Sequence, residues 1–265
     1  MGKPGRDALK LNLQKATEEI VGFIRKTMEE AKAAGVVIGL SGGVDSSLVA
    51  ALCVRALGRD RVLGVLMPAE FTPQQDMEDA RRLAEQLGIQ TRLVNIQDIG
   101  EAFFRELHCD RRDVKQRMPM ANVRARIRMV VLYYYANLGN LLVVGTGDRS
   151  EALIGYFTKH GDGAADLFPI RHLYKTQVRE LARHLDVPEK IAAKPSSPQL
   201  YPRHKITDEI PLDYEKLDPV LVGLVDHKLS PKEVSQLTGT PIKVVEEVLR
   251  RFNASKHKRS MPEQL

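Results

Sequence analysis

An open parallel α/β sheet with helices on both faces, extended by extra C-terminal helices, is the fold this chain's apolar segments predict. Three observations lead there. Short continuous apolar runs recur at 36–40, 62–67 and 141–145, as expected of strands buried on both faces. Between them, apolar residues return every three or four positions, the mark of helices packed by one side. A glycine-rich stretch follows the first run directly, at the carboxyl end of a strand, where such sheets bind ligands.

The elements follow in order. Residues 8–34 read as an amphipathic helix with Ile20, Phe23, Ile24 and Met28 in one stripe. Val36 to Leu40 is the first strand, and a helix through Leu48, Leu52 and Leu57 ends at Gly58. Residues 62–67 form the second strand, stopped by Pro68. Met77, Ala80, Leu83, Ala84 and Leu87 line the next helix up to Gly88, and 92–96 is the third strand. The alternation of strand and helix demands a parallel sheet. A long helix is expected over 121–138, the fourth strand over 141–145, and a periodic helix over 174–186. The proline-rich segment 188–219 has little periodicity and reads as an active-site loop or lid. Ser230, Pro231 and Glu233 are an N-cap, a first-turn proline and an acidic first turn. A last helix near 240–252 leads to a basic tail over 253–265, and 1–265 is read as a single domain.

Composition narrows the class. With 43% apolar and 5% aromatic residues, and no Trp, the core is aliphatic. Forty basic against 34 acidic residues give a net charge of +6, which favours anionic ligands without demanding nucleic acid. Two cysteines, Cys53 and Cys109, support neither a disulfide framework nor a zinc site. No signal peptide and no membrane span is expected, so the cytoplasm is the expected compartment.

The chemistry begins at Gly39-Leu40-Ser41-Gly42-Gly43-Val44-Asp45-Ser46. Gly42 and Gly43 let the backbone approach an anion, and the following helix adds its positive N-terminus. No lysine follows the glycines, so this is not the usual P-loop. A carboxylate beside phosphates is useful when a divalent cation lies between them, and Asp45 is then a Mg²⁺ ligand. The string resembles the Ser-Gly-Gly-x-Asp-Ser loop of the ATP pyrophosphatases. That resemblance implies cleavage of ATP between its α and β phosphates, and adenylation of a substrate not yet specified.

A second dense stretch follows the fourth strand: Gly145-Thr146, then Glu151, then Gly155-Tyr156-Phe157-Thr158-Lys159-His160-Gly161-Asp162-Gly163 and Asp166. A parallel fourth strand ends at the same sheet edge as the first, so Thr146 could reach the nucleotide and Glu151 the metal. Standing alone, Glu151 is a solvated first-turn residue. Together with 124–129, 173–182 and Lys256-His257-Lys258-Arg259, the blocks resemble the NAD synthetase family over about residues 18–262.

The resemblance implies amidation of deamido-NAD (nicotinic acid adenine dinucleotide) with ammonia and ATP, through an adenylated carboxylate. It implies ATP binding by residues 39–46, Thr146, Lys175 and Ser197, and Mg²⁺ held by Asp45 and Glu151. Asp45, Glu151 and Lys175 are then the catalytic set. Arg126, Lys159, Asp166, His257 and Lys258 match deamido-NAD positions, and Asp162 lies in the same loop. A homodimer is implied as well. Nitrogen comes as free ammonia or from a separate glutaminase partner, and no nucleic acid or membrane is involved. Arg124, Arg126 and Arg128 cannot all share one helix face, so only Arg126 is retained. The family's Gln and later Gly are absent from 199–211, which leaves contacts there undetermined. Two other readings stay open. An RNA-modifying ATP pyrophosphatase would need an RNA module, and a nucleotide sensor would bind without releasing pyrophosphate.

Overall fold

The computed structural model describes residues 6–195 and 212–262. Its sheet has four strands: β1 (Gly35–Gly39), β2 (Val62–Leu66), β3 (Gln90–Leu93) and β4 (Leu141–Val143), in the order β3-β2-β1-β4. All three pairings are parallel, with Val36 opposite Val62 and Leu142. Helices α1 (Leu13–Ala31), α2 (Val44–Leu57), α3 (Gln74–Leu87), α4 (Gln97–Glu106) and α5 (Val114–Gly139) connect and cover it. After β4 come α6 (Arg149–Ile154), α7 (Lys175–His184), α8 (Glu189–Ala192), α9 (Tyr214–Leu221), α10 (Pro231–Thr238), α11 (Ile242–Ala254) and α12 (Lys256–Arg259). Among the described residues, no helix is long and apolar enough to cross a membrane.

Strand side chains alternate between two cores, because successive residues point to opposite faces. Val36 and Ile38 join α1, α2 and α7 on one face. Val37, Val65 and Val143 meet Ile127 and Ala136 of α5 on the other. A third cluster lies among the later helices and unites Leu153, Tyr174, Leu217, Val234 and Val248. Cys53 is fully buried in the first core, and burial pushes its thiol up to about 12. Cys109 is half-buried.

Several boundaries differ from the sequence expectation, each for a local reason. The third strand starts at Gln90 rather than 92 and lies at the sheet edge with all four residues exposed. An edge strand needs no apolar alternation on its outer side. Its ladder continues beyond the strand proper, with Val94 N–H donating to Leu66 O and Ile96 N–H to Pro68 O. Helix α5 begins at Val114, well before 121, because the Asp113 side chain accepts the Lys115 N–H as an N-cap. Pro119 gives up one intrahelical bond near the start of this 26-residue helix.

The loop expected over 188–219 is partly helical. Ile191 and Ala192 of α8 are buried under α7, and α9 carries Pro219 within it. Residues 196–211, including Ser197, lie outside the described residues. The expected cap at Ser230 is present as a reciprocal capping box with Glu233.

Candidate active site

The glycine stretch joins β1 to α2. Gly42 has φ +75, and a Cβ there would lie 2.2 Å from the Asp76 carbonyl oxygen, so only glycine fits. Gly43 caps α2 with no side-chain hydrogen bond, leaving first-turn N–H groups free to meet an anion. Hydroxyls shape the turn from within. Ser46 Oγ lies 3.1 Å from Ser41 Oγ and donates to Gly43 O, and Ser47 Oγ donates to the same carbonyl at 2.8 Å.

Asp45, in the first turn of α2, projects toward residues carried by two later helices. Lys175 Nζ donates to both Asp45 oxygens at 2.8 Å and to Glu151 Oε1 at 2.9 Å, and ion-pairs with Asp148 Oδ2 at 2.8 Å. The Lys175 side chain is wholly buried. Burial alone would lower its pKa, but Asp148, Asp45 and Glu151 hold it well above the usual lysine value. Burial pushes Glu151 up to about 8 and Asp148 up to about 6; the neighbouring carboxylates add to the rise and Lys175 opposes it. One ammonium thus faces three carboxylates.

The local sequence explains the convergence. Asp148 is the N-cap of α6; its Oδ1 accepts the Glu151 N–H at 2.8 Å, and Glu151 reaches back to Asp148 N–H. Glu151 is therefore not a solvated first-turn residue, because the capping box turns it inward. Beneath both helices lies Asp218 of α9, fully buried. It accepts from Ser150 Oγ at 2.6 Å, Thr176 N–H at 2.9 Å and Thr176 Oγ1 at 2.8 Å. Ser150 Oγ in turn accepts the Lys175 N–H. One carboxylate thereby ties the starts of α6 and α7 together. Burial moves its pKa up to about 6, although its donors pull the other way. One turn earlier on α9, the Tyr214 ring lies 5.1 Å from Lys175 Nζ. The Tyr214 hydroxyl is buried without a hydrogen-bond partner among the described residues.

Most of the loop, with Asp45, Glu151, Lys175 and Tyr214, lines one cleft of about 800 Å³, in the range that encloses a nucleotide-sized ligand; Asp148 is buried just behind it. Thr146 lies on its wall, as do Gly39, Leu40, Ser41, Gly43, Val44, Asp45 and Ser46. The oxygens of Asp45, Asp148 and Glu151 lie within 4.8 Å of one another. An all-carboxylate donor set beside an anion cradle fits Mg²⁺, a hard cation that shares itself between carboxylates and phosphate.

The residues assigned to deamido-NAD separate into two groups. Lys258 is in the cleft wall, its Nζ donating at 2.8 Å to Gly155 O and Phe157 O. Asp162, also in the wall, accepts the Thr158 N–H at 2.9 Å and holds the 158–162 turn. Arg126, Lys159, Asp166 and His257 do not line the cleft. Arg126 is exposed and donates to Lys159 O at 3.2 Å, His257 is exposed, and Asp166 accepts the Val143 N–H at 2.7 Å. Of the three alternating arginines, Arg128 is the one in the wall, held by Met67 O at 3.1 Å. Arg124 stacks between Phe71 and Phe104.

The basic tail is ordered through α12, with Arg259 donating to the Leu153 carbonyl at 2.9 Å near the end of α6. Cations are favoured at a helix C-terminus. Sequence reasoning missed Asp148, Asp218, Tyr214 and Arg128. Only Asp148 carried a local signal, the Asp-x-x-Glu spacing of a capping box.

A family model described as NAD synthase matches residues 16–262. A protein of Hyperthermus butylicus named NH3-dependent NAD+ synthetase is 49% identical over 257 residues, covering 97% of this chain and 92% of that protein. Two solved structures share the fold across 97% of this chain. An NMN synthetase from Francisella tularensis has a TM-score of 0.84 and 32% identity, with 99% of that chain covered. An NH3-dependent NAD synthetase from Campylobacter jejuni, in complex with nitrate, has a TM-score of 0.80 and 33% identity, with 100% covered.

Proposed function

The chain belongs to the NAD synthase family, and on that premise we propose that it amidates deamido-NAD to NAD⁺ with ammonia, consuming ATP and acting as a C–N ligase. The observation that carries this reading is the Asp45–Asp148–Glu151 cluster around Lys175, beside the uncapped start of α2, with Asp45, Glu151 and Lys175 in the cleft wall.

The chemistry needs activation because a carboxylate is a poor electrophile whose leaving group would be oxide. A carboxylate oxygen of the substrate attacks the α-phosphorus of ATP. The bond from that phosphorus to the bridging oxygen breaks, and pyrophosphate leaves. Ammonia nitrogen then attacks the acyl carbon, the bond to the adenylate oxygen breaks, AMP departs, and a proton passes to solvent. The protein contributes position and charge. Residues 39–46 and the α2 N-terminus cradle the phosphates. Lys175, fixed by burial, supplies a positive charge that cannot swing away. Thr146 stands on the nucleotide wall. Bound Mg²⁺, held by Asp45 and Glu151 with Asp148 behind them, would neutralise phosphate charge. Lys258 and the 155–162 turn face the acceptor side.

Arg126, Lys159, Asp166 and His257 lie outside the cleft of one chain, so we assign them to the part of deamido-NAD that extends toward a second copy. Helix α5, which carries Arg126, also exposes Val130, Tyr134 and Leu138, which supports a homodimer. Ser197 keeps the ATP assignment that the family resemblance gives it, and it lies outside the described residues.

The test is direct. Purified protein with ATP, Mg²⁺, ammonium and deamido-NAD should form NAD⁺, AMP and pyrophosphate in equal amounts, followed by coupled alcohol dehydrogenase and by phosphate release. Glutamine in place of ammonium should give no product, as expected of a chain fed by free ammonia or by a separate glutaminase. Asp45→Asn should lower kcat by about a hundredfold or more with unchanged circular dichroism. Full activity in that variant would remove Asp45 from the metal role. Similarity to the Francisella NMN synthetase favours one second reading, a mononucleotide acceptor. A higher kcat/KM for the nicotinate mononucleotide than for deamido-NAD would establish it.

A further inference from the structure

Behind the nucleotide loop lies a charge network that the functional reading does not use. Helix α3 starts against the loop, with the Asp76 backbone in contact with Gly42. Asp76 and Asp79, one turn apart on α3, are buried at 4% and 2% exposure. Two carboxylates beside an anion cradle would repel a polyphosphate. They are matched by lysines from outside α3. Lys190 Nζ donates to Asp79 Oδ1 at 2.5 Å. Lys194 Nζ donates to Asp79 Oδ2 at 3.1 Å, to Asp76 Oδ1, and to the Gly42 carbonyl at 3.3 Å. Lys194 and Asp76 also line the cleft.

The bond to Gly42 matters most. A peptide unit is planar and trans, so its C=O and the next N–H point in opposite directions. Drawing the Gly42 carbonyl outward toward Lys194 turns the Gly43 N–H inward. That N–H now donates to Ser41 Oγ at 3.3 Å, a long bond that an anion could replace. Gly42, at positive φ, has no side chain to restrict rotation of this peptide. Within the loop this peptide is held by the long Ser41 bond, and Lys194 adds a restraint from outside it.

We propose that Lys194 is a positioning residue of the nucleotide loop: it holds the Gly42–Gly43 peptide with its N–H toward the phosphates, while cancelling the charge of Asp76 and Asp79 behind it. The proposal rests on reading residues 39–46 as the phosphate cradle. It makes the segment leading from α7 part of the ATP site through a side chain that need not touch ATP.

The test uses the full chain and α,β-methylene-ATP, an analogue that binds without turnover, titrated by calorimetry with Mg²⁺. Lys194→Cys should weaken analogue binding about tenfold and raise the KM for ATP to match, while the KM for deamido-NAD stays within about twofold. Alkylation of that cysteine with 2-bromoethylamine rebuilds a lysine-like ammonium and should restore binding. Wild-type protein treated alike controls for Cys109, since Cys53 is buried. Removing Lys194 alone leaves Asp79 with Lys190 and takes a cation from buried Asp76, which could unfold the chain. The triple variant Asp76→Asn, Asp79→Asn, Lys194→Cys removes that penalty and should still bind the analogue weakly. Wild-type affinity in the triple variant would overturn the proposal and reduce Lys194 to a counter-ion. So would wild-type affinity in folded Lys194→Cys, or failure of alkylation to restore binding. If the wild-type protein does not bind the analogue at all, the cradle reading itself fails.

Discussion

Glu151 performs two tasks with one side chain. It closes the capping box of α6 and turns a carboxylate toward Lys175. Its pKa is raised to about 8 by burial first and by Asp148 and Asp45 next. A carboxyl with a folded pKa above its unfolded value of 4.5 binds more protons when folded. Its contribution to stability is therefore full below the unfolded value and is lost as pH rises through about 8. Without divalent cations, the melting temperature should fall between pH 6 and 8.5, and Glu151→Gln should flatten that slope. Added Mg²⁺ should raise the melting temperature more at pH 8.5 than at pH 6. A slope unchanged by the substitution would show that Glu151 does not titrate in this window. At this scale the sequence singled out Asp45, Glu151 and Lys175, each in a recognisable block, and the fold brings the three side chains together. It was silent on Asp218 and Tyr214. An Asp in an apolar helix looks like any other until the folded chain sets it against Ser150 and Thr176.

At the scale of elements, the helices carry the site and the sheet only aligns their starts. Helix α2 delivers the cradle and Asp45, α6 delivers Asp148 and Glu151, and α7 delivers Lys175. Helix α9 locks the last two together through Asp218. The sheet and most of these helices could be read from periodicity. Helix α6 could not, because six residues are too few for a periodic signal. The Asp113 cap of α5 was missed because it lies in a charged stretch with no apolar stripe. The same helix presents Val130, Tyr134 and Leu138, four residues apart and each more than 60% exposed. That spacing places them on one face, and contiguous exposed apolar surface marks an interface. The expected partner is a second copy of the chain. Replacing Val130 and Leu138 by Glu should convert a dimer to a monomer in sedimentation velocity, and should raise the KM for deamido-NAD more than that for ATP. An unchanged sedimentation coefficient would place the self-contact elsewhere or remove it.

Over the whole molecule, the parallel sheet and the candidate site at its carboxyl edge are legible in the sequence. The doubly buried strands and the position of the glycine stretch were enough for that. What was not legible was depth. The arginines at 124, 126 and 128 look equivalent in sequence, yet the fold stacks one on aromatics, exposes another and sets the third in the cleft wall. Lys159 and Asp166 matched a family pattern, but the pattern does not state that they lie outside the cleft of a single chain. Such placement depends on tertiary context, which local spacing does not encode.

The seam between the sheet core and the helical C-terminal core has a consequence for how the protein fails. Lys175 stands on α7, whose Val178 and Leu181 belong to the first core, while the preceding Tyr174 belongs to the helical one. The geometry around Lys175 therefore depends on both cores being intact at once, whereas the sheet depends on its own. Proteins open in parts, the less stable units first. In rising urea, NAD⁺ formation should vanish at a lower concentration than the far-ultraviolet signal, with Lys175 becoming open to acetylation in between. A single shared midpoint would mean that the two cores melt as one. The seam would make this enzyme's working range narrower than its folded range.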